Sequence, residues 1–186
     1  LLSTGMTLTA STSAMTFGAT SGTKTINTNG KTIDFPITFN GNGGTFNLLS
    51  NVTLGATRTL TFSAGTLDLN TFVLSTGLFS STNATAKTLA FGTSRIDLTG
   101  GNGTVLNLNG VTNFNTTGTV YFNSTYTSSV GTRTFDLSGL TEAQVTTLGL
   151  SVATSGSSGI IVGTTATDII ALTGIFLNIN LTGLTN

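Results

Sequence analysis

The chain contains no cysteine, no histidine and no tryptophan, and its single proline is Pro36. Without cysteine, disulfide frameworks and thiolate metal sites are excluded. Without histidine as well, only hard oxygen ligands remain for a metal. Charge is scarce: six basic and six acidic residues make up 6% of the chain and cancel to a net charge of zero. Typical domains are about one quarter charged, so there is no electrostatic footprint for nucleic acid or an anionic membrane surface. Long hydrophobic runs are missing too. The most apolar stretch, "DIIALTGIFLNINLTGL" from Asp168 to Leu184, is interrupted by Thr, Gly and Asn, which argues against a membrane span. Lysine, glutamate, glutamine and alanine, the residues that fill helices, are few.

What fills the chain instead is threonine, 43 residues of it, beside 24 glycines. Threonine is β-branched and favours strands. Glycine and asparagine favour tight turns and left-handed backbone. The composition therefore predicts an all-β protein of many short strands. The 186 residues suit one domain or a piece of a larger protein. The start at Leu1 without methionine suggests a processed product or an internal segment.

One phrase recurs. "RTLTFSAGTLDL" (Arg58 to Leu69) and "KTLAFGTSRIDL" (Lys87 to Leu98) match without a gap, 29 residues apart. "KTINTNGKTIDF" (Lys24 to Phe35) aligns upstream, and "RTFDLSGL" (Arg133 to Leu140) is a shortened fourth copy. Periods of about 20–50 residues mark solenoids, propellers or arrays. Within each copy, apolar and polar residues alternate, so one set faces a core. The expected core residues are Leu60, Phe62, Leu67 and Leu69, with Leu89, Phe91, Ile96 and Leu98. Ser63-Ala64-Gly65 is the expected turn. Matching motifs are expected to stack, placing Leu60 by Leu89, Leu67 by Ile96 and Asp68 by Asp97. The fold expected is a β-solenoid, specifically a right-handed parallel β-helix. The competing architecture is a β-sandwich or a meander of hairpins.

Residues 1–139 form the repeat-built solenoid on this reading, and residues 140–186 are atypical terminal coils or a cap within the same domain. In that last part, "LTEAQVTTLGL" carries a capping box, Thr141-x-x-Gln144. It predicts a short helical turn over 141–148. Strand then resumes in the alternation of Ile175, Leu177, Ile179 and Leu181.

Candidate chemistry is thin. The acids are Asp34, Asp68, Asp97, Asp136, Glu142 and Asp168, and three of them hold one repeat position. They read as an outward ladder, with Lys31 or Arg95 nearby to pair with them. Acid catalysis of the kind found in sugar-cleaving β-helices needs paired carboxylates close together on one face, whereas here each copy repeats the same single acid, which reads as a feature of the coil. No enzyme activity, cofactor or metal is expected. Tyr121 and Tyr126, the only tyrosines, are the candidate ligand contacts, because exposed aromatics stack on sugars. Thr-x-Thr pairs such as Thr57/Thr59/Thr61 resemble the threonine ladders of insect-type ice-binding solenoids. The motif copies do not keep the pair, which passes from Thr59-Leu60-Thr61 to Thr88-Leu89-Ala90.

The phrases "GTLDLN", "TLAFGTSRIDLTG", "GTVLNLNG" and "RTFDLSGLTEA" resemble the low-charge Gly/Thr/Asn repeats of bacteriophage virion fibre and tail proteins. They are also similar to parts of bacterial adhesins and autotransporter passengers. The resemblance covers roughly residues 20 to 140 and carries no active site. It implies a non-catalytic structural segment of a virion or extracellular protein. The expected partners are copies of itself or flanking coils of the same longer protein. The alternatives are an adhesin module contacting cell-surface glycans and an ice-binding solenoid.

Overall fold

The computed structural model describes residues 2–3, 5–101, 103–108, 114–118, 120–124, 133–137, 148–152, 160–162 and 177–180. Among them there is no helix, and every regular element is a strand. The chain winds as a β-solenoid with three faces. The first turn consists of β1 (Met15–Phe17), β2 (Thr23–Ile26) and β3 (Thr32–Ile33). The second consists of the long β4 (Ile37–Leu48), which bends across two faces, and β5 (Val52–Leu54). The third repeats that plan with β6 (Thr59–Asp68) and β7 (Leu74–Thr76). The fourth has β8 (Leu78–Ser80), β9 (Lys87–Gly92) and β10 (Ile96–Leu98).

These elements complete about four turns. The same three faces are carried on by β11 (Gly103–Asn107), β12 (Phe114–Gly118) and β13 (Val120–Ser124). Two of the faces continue into β14 (Arg133–Asp136) and β15 (Leu148–Val152). Then come β16 (Ile160–Val162) and β17 (Leu177–Asn180). Among the described residues, ladder pairing is parallel except between β15 and β16, which is antiparallel. The first and second faces share one ten-stranded sheet, because β4 and β6 turn the corner unbroken; the third face is a separate seven-stranded sheet. The hairpin alternative fails here: the two halves of β6 each pair with neighbouring turns and not with each other. The helical turn expected over 141–148 lies, up to residue 147, outside the described residues, and Leu148 begins β15.

The physical origin of the fold is the period-two alternation. In β6, Leu60, Phe62, Ala64 and Leu67 are buried while Thr59, Thr61, Thr66 and Asp68 are partly exposed. All eight expected core residues, Leu60, Phe62, Leu67, Leu69, Leu89, Phe91, Ile96 and Leu98, are fully buried. Two groups of phenylalanines join the faces across the interior. Phe17, Phe39 and Phe46 meet at one level, with centroids 5.1 Å apart for Phe17–Phe39 and for Phe39–Phe46. Further along the stack, Phe79 and Phe91 both meet Phe122, at 5.4 and 5.6 Å in edge-to-face contact, the arrangement that ring quadrupoles favour.

The stacking register differs from the motif alignment. Leu60 pairs with Phe79, not Leu89. Leu89 pairs with Leu67 and Ile96 with Leu74, while Asp68 meets Ala90 and Asp97 meets Ser75. The turn is about 22 residues long, as shown by Thr28–Ser50, Asn51–Val73 and Phe72–Ser94, each bonded pair 22 apart. An offset of 29 is therefore one turn plus one face. The second copy begins on the first face and the third copy on the second. Every face carries the same alternation, so the phrase matches any face to any other.

Ser63-Ala64-Gly65 is a corner within β6 where the register shifts. Gly65 has φ of +92°, and a Cβ there would lie 2.2 Å from the Gly41 carbonyl oxygen, so only glycine fits. Two buried hydroxyls at other corners are satisfied by backbone of the adjoining turn, whereas Thr99 Oγ1, buried after β10, has no partner among the described residues. Thr28 Oγ1 donates to the Asn51 carbonyl at 2.8 Å, and Ser81 Oγ to that of Phe62 at 2.8 Å. Such pairing is what makes a buried polar atom tolerable.

Candidate functional site

The sheet faces present columns of outward side chains, one residue per turn at a rise of about 4.8 Å. On the second face the column runs Thr23, Thr45, Thr66, Thr88. On the first it runs Thr16, Thr38, Thr61 and then Ser80. On the third it runs Thr32, Thr53, Ser75, Asp97, Asn123. The Thr-x-Thr phrase therefore misplaced its own ladder. Threonine is kept over three turns of the first face and four of the second, at an offset that the motif alignment does not use.

The three repeat-position acids do not form one ladder. Asp34 accepts from Arg58 Nε at 2.7 Å, across one turn. Asp68 caps a local turn by accepting the Asn70 N–H at 2.8 Å, and Asn70 has a left-handed φ of 56°. Asp97 is nearly buried. It takes Arg95 Nε at 2.8 Å and Asn123 Nδ2 at 2.9 Å. The expectation that Arg95 neutralises a neighbouring acid holds, while Asp34 is matched by Arg58 and not by Lys31. All three carboxylates are engaged in structural bonds. Among the described residues, no three groups of His, Cys, Asp or Glu converge.

The side chain that sequence reading passed over is Lys87. It opens β9, where Leu89 and Phe91 point inward, so alternation turns Lys87 inward as well. It is only 2% exposed. Its Nζ donates to the Asn83 carbonyl at 2.8 Å and to Asn83 Oδ1 at 2.5 Å. Neither ion pair among the described residues involves it. Burial without a counter-charge pushes its pKa down to about 8. The signal was present in "KTLAF": position 87 shares parity with 89 and 91. The loop before it is shaped by Asn83, whose Oδ1 also accepts the Thr85 N–H at 3.3 Å.

Tyr121 lies in β13, paired with Gly149 of β15; Tyr126 lies outside the described residues. No helix among the described residues is long and apolar enough to cross a membrane. No family model, curated protein or solved structure matches the chain.

Proposed function

We propose that the chain is a non-catalytic structural segment of an extracellular or virion fibre, associating with copies of itself or with flanking coils. The observation that carries this reading is the continuous parallel stack. Three faces share one interior, and their outward columns are almost free of charge. Each added turn extends such a stack by about 4.8 Å and pairs its backbone with the turn before. Low charge suits it, because like charges in one column repel at that spacing. Engagement of Asp34, Asp68 and Asp97 in structural bonds supports a role in which these three acids serve the fold. Scattering and electron microscopy of the purified chain, and of the particle that contains it, test the proposal. An elongated, in-register assembly is expected. A compact monomer that turns over a glycan would refute it.

A second reading, an ice-binding face, is favoured by one observation: the unbroken column Thr23, Thr45, Thr66, Thr88. Four hydroxyl-and-methyl side chains at constant spacing can order water regularly, and the neighbouring column of the same face, Thr25, Asn47, Asp68 and Ala90, carries a single acid. Ice recrystallisation assays decide it. Inhibition that vanishes in Thr45→Tyr and Thr66→Tyr would support this reading, and no inhibition by the unaltered chain would dismiss it.

A further inference from the structure

Lys87 and Asn83 hold an amine and a carboxamide in direct contact at the end of the loop between β8 and β9. We propose that this pair is a site of spontaneous intramolecular cross-linking, in which Lys87 Nζ forms an amide bond with Asn83 Cγ.

Four features meet there. The amine is oriented: Nζ is fixed by the Asn83 backbone carbonyl at 2.8 Å, beside the side-chain amide of the same residue. Proximity of this kind replaces a bimolecular encounter with an intramolecular step. The amine is also shielded, since the lysine is 2% exposed, and its burial raises the share of neutral, nucleophilic amine near neutral pH. The acyl group is polarised, because Oδ1 already accepts the Thr85 N–H at 3.3 Å. Finally, no carboxylate ion-pairs with Lys87 among the described residues to hold it as an ammonium ion.

The step balances without an added reactant. The Nζ lone pair forms the bond to Cγ, and the Cγ–Nδ2 bond breaks. One Nζ proton passes to Nδ2, which leaves as ammonia. Nothing is oxidised or reduced. The product ties residue 83 to residue 87 covalently and closes the loop that leads into β9.

The test is peptide mass analysis of the full chain. The purified protein is held folded at about pH 9, above the Lys87 pKa of about 8, then unfolded, digested with trypsin and weighed. The expected species is lighter by one ammonia and uncut between Lys87 and Thr88, because a lysine acylated at Nζ is no longer a trypsin site. Asn83→Ser should restore cutting at Lys87 and abolish the lighter species. Complete cutting at Lys87 with unchanged mass would overturn the proposal. A species lighter by ammonia yet still cut at Lys87 would overturn it as well, since that is the signature of a cyclic imide at Asn83. Persistence of the lighter species in Asn83→Ser would place the loss of ammonia at another residue and so overturn it too.

Discussion

Replacing Phe91 by alanine tests the interior most directly. Phe91 has no exposed surface and meets Phe122 edge-to-face at 5.6 Å, and Phe122 also meets Phe79 at 5.4 Å. A phenylalanine buries about 150–250 Å². At about 25 cal/mol per Å² that is worth about 4–6 kcal/mol, of which the remaining alanine keeps about 1. The net agrees with the loss of about 3–5 kcal/mol usual for Phe→Ala in cores. Thr61→Ala is the matched control: Thr61 lies on the outward column of the first face, and its loss should cost well under about 1 kcal/mol. The assay is urea unfolding of both variants, joined to amide hydrogen exchange, because a stacked repeat need not unfold as one unit. Exchange protection should fall most in β8–β10 and least in β1–β3, which share no strand pairing with the turn of Phe91. Equal costs at Phe91 and Thr61, or protection lost uniformly, would refute the assignment of inward and outward faces and the local character of the core.

Gly65→Ala should cost at least about 2 kcal/mol, the scale of a strained left-handed residue, because the new Cβ meets the Gly41 carbonyl oxygen as well; thermal unfolding reads it. For Lys87 in the uncross-linked chain, burial holds the folded pKa near 8 against 10.5 when unfolded. The unfolded state then binds more protons between those values, so stability should rise as pH increases from about 8 towards 10.5 and be lost again on return. Lys87→Met should remove that slope, and an unchanged slope in denaturant titrations would show that Lys87 is not its source. Arg58→Ala should cost only about 0–1 kcal/mol, since Asp34 is 46% exposed and solvent screens the pair; a double-mutant cycle with Asp34→Ala measures the coupling.

Most of the architecture could be read from the sequence because alternation is a local property. Leu60, Phe62, Leu67 and Leu69 identify a buried side whatever they pack against. The register could not be read the same way. Matching "RTLTFSAGTLDL" to "KTLAFGTSRIDL" compared strands on different faces, and three faces with one pattern leave the phase undetermined. The 22-residue period was carried by quieter marks, such as Thr28, Ser50, Asn51 and Ser94, whose partners are backbone groups and hydroxyls one turn away. Lys87 was legible by parity alone. Its alignment with Lys24 and Arg58 hid it, because those two cations sit in different surroundings: Lys24 is exposed and Arg58 is paired with Asp34. The candidate cross-link partner, Asn83, gave no sign in the chain, because its role depends on how the loop between β8 and β9 folds back.

The glycine corners have a further consequence for assembly errors. A turn that docked one face out of phase would still bury leucine and phenylalanine, so apolar burial alone is a poor proofreader of winding. The corners discriminate where the faces do not. At Gly77 a Cβ would come within 2.1 Å of the Ala56 carbonyl oxygen, so no other residue type can be threaded through that point. Glycines at the bends thus work as indexing notches: they admit one rotational setting per turn and reject the neighbouring ones by collision.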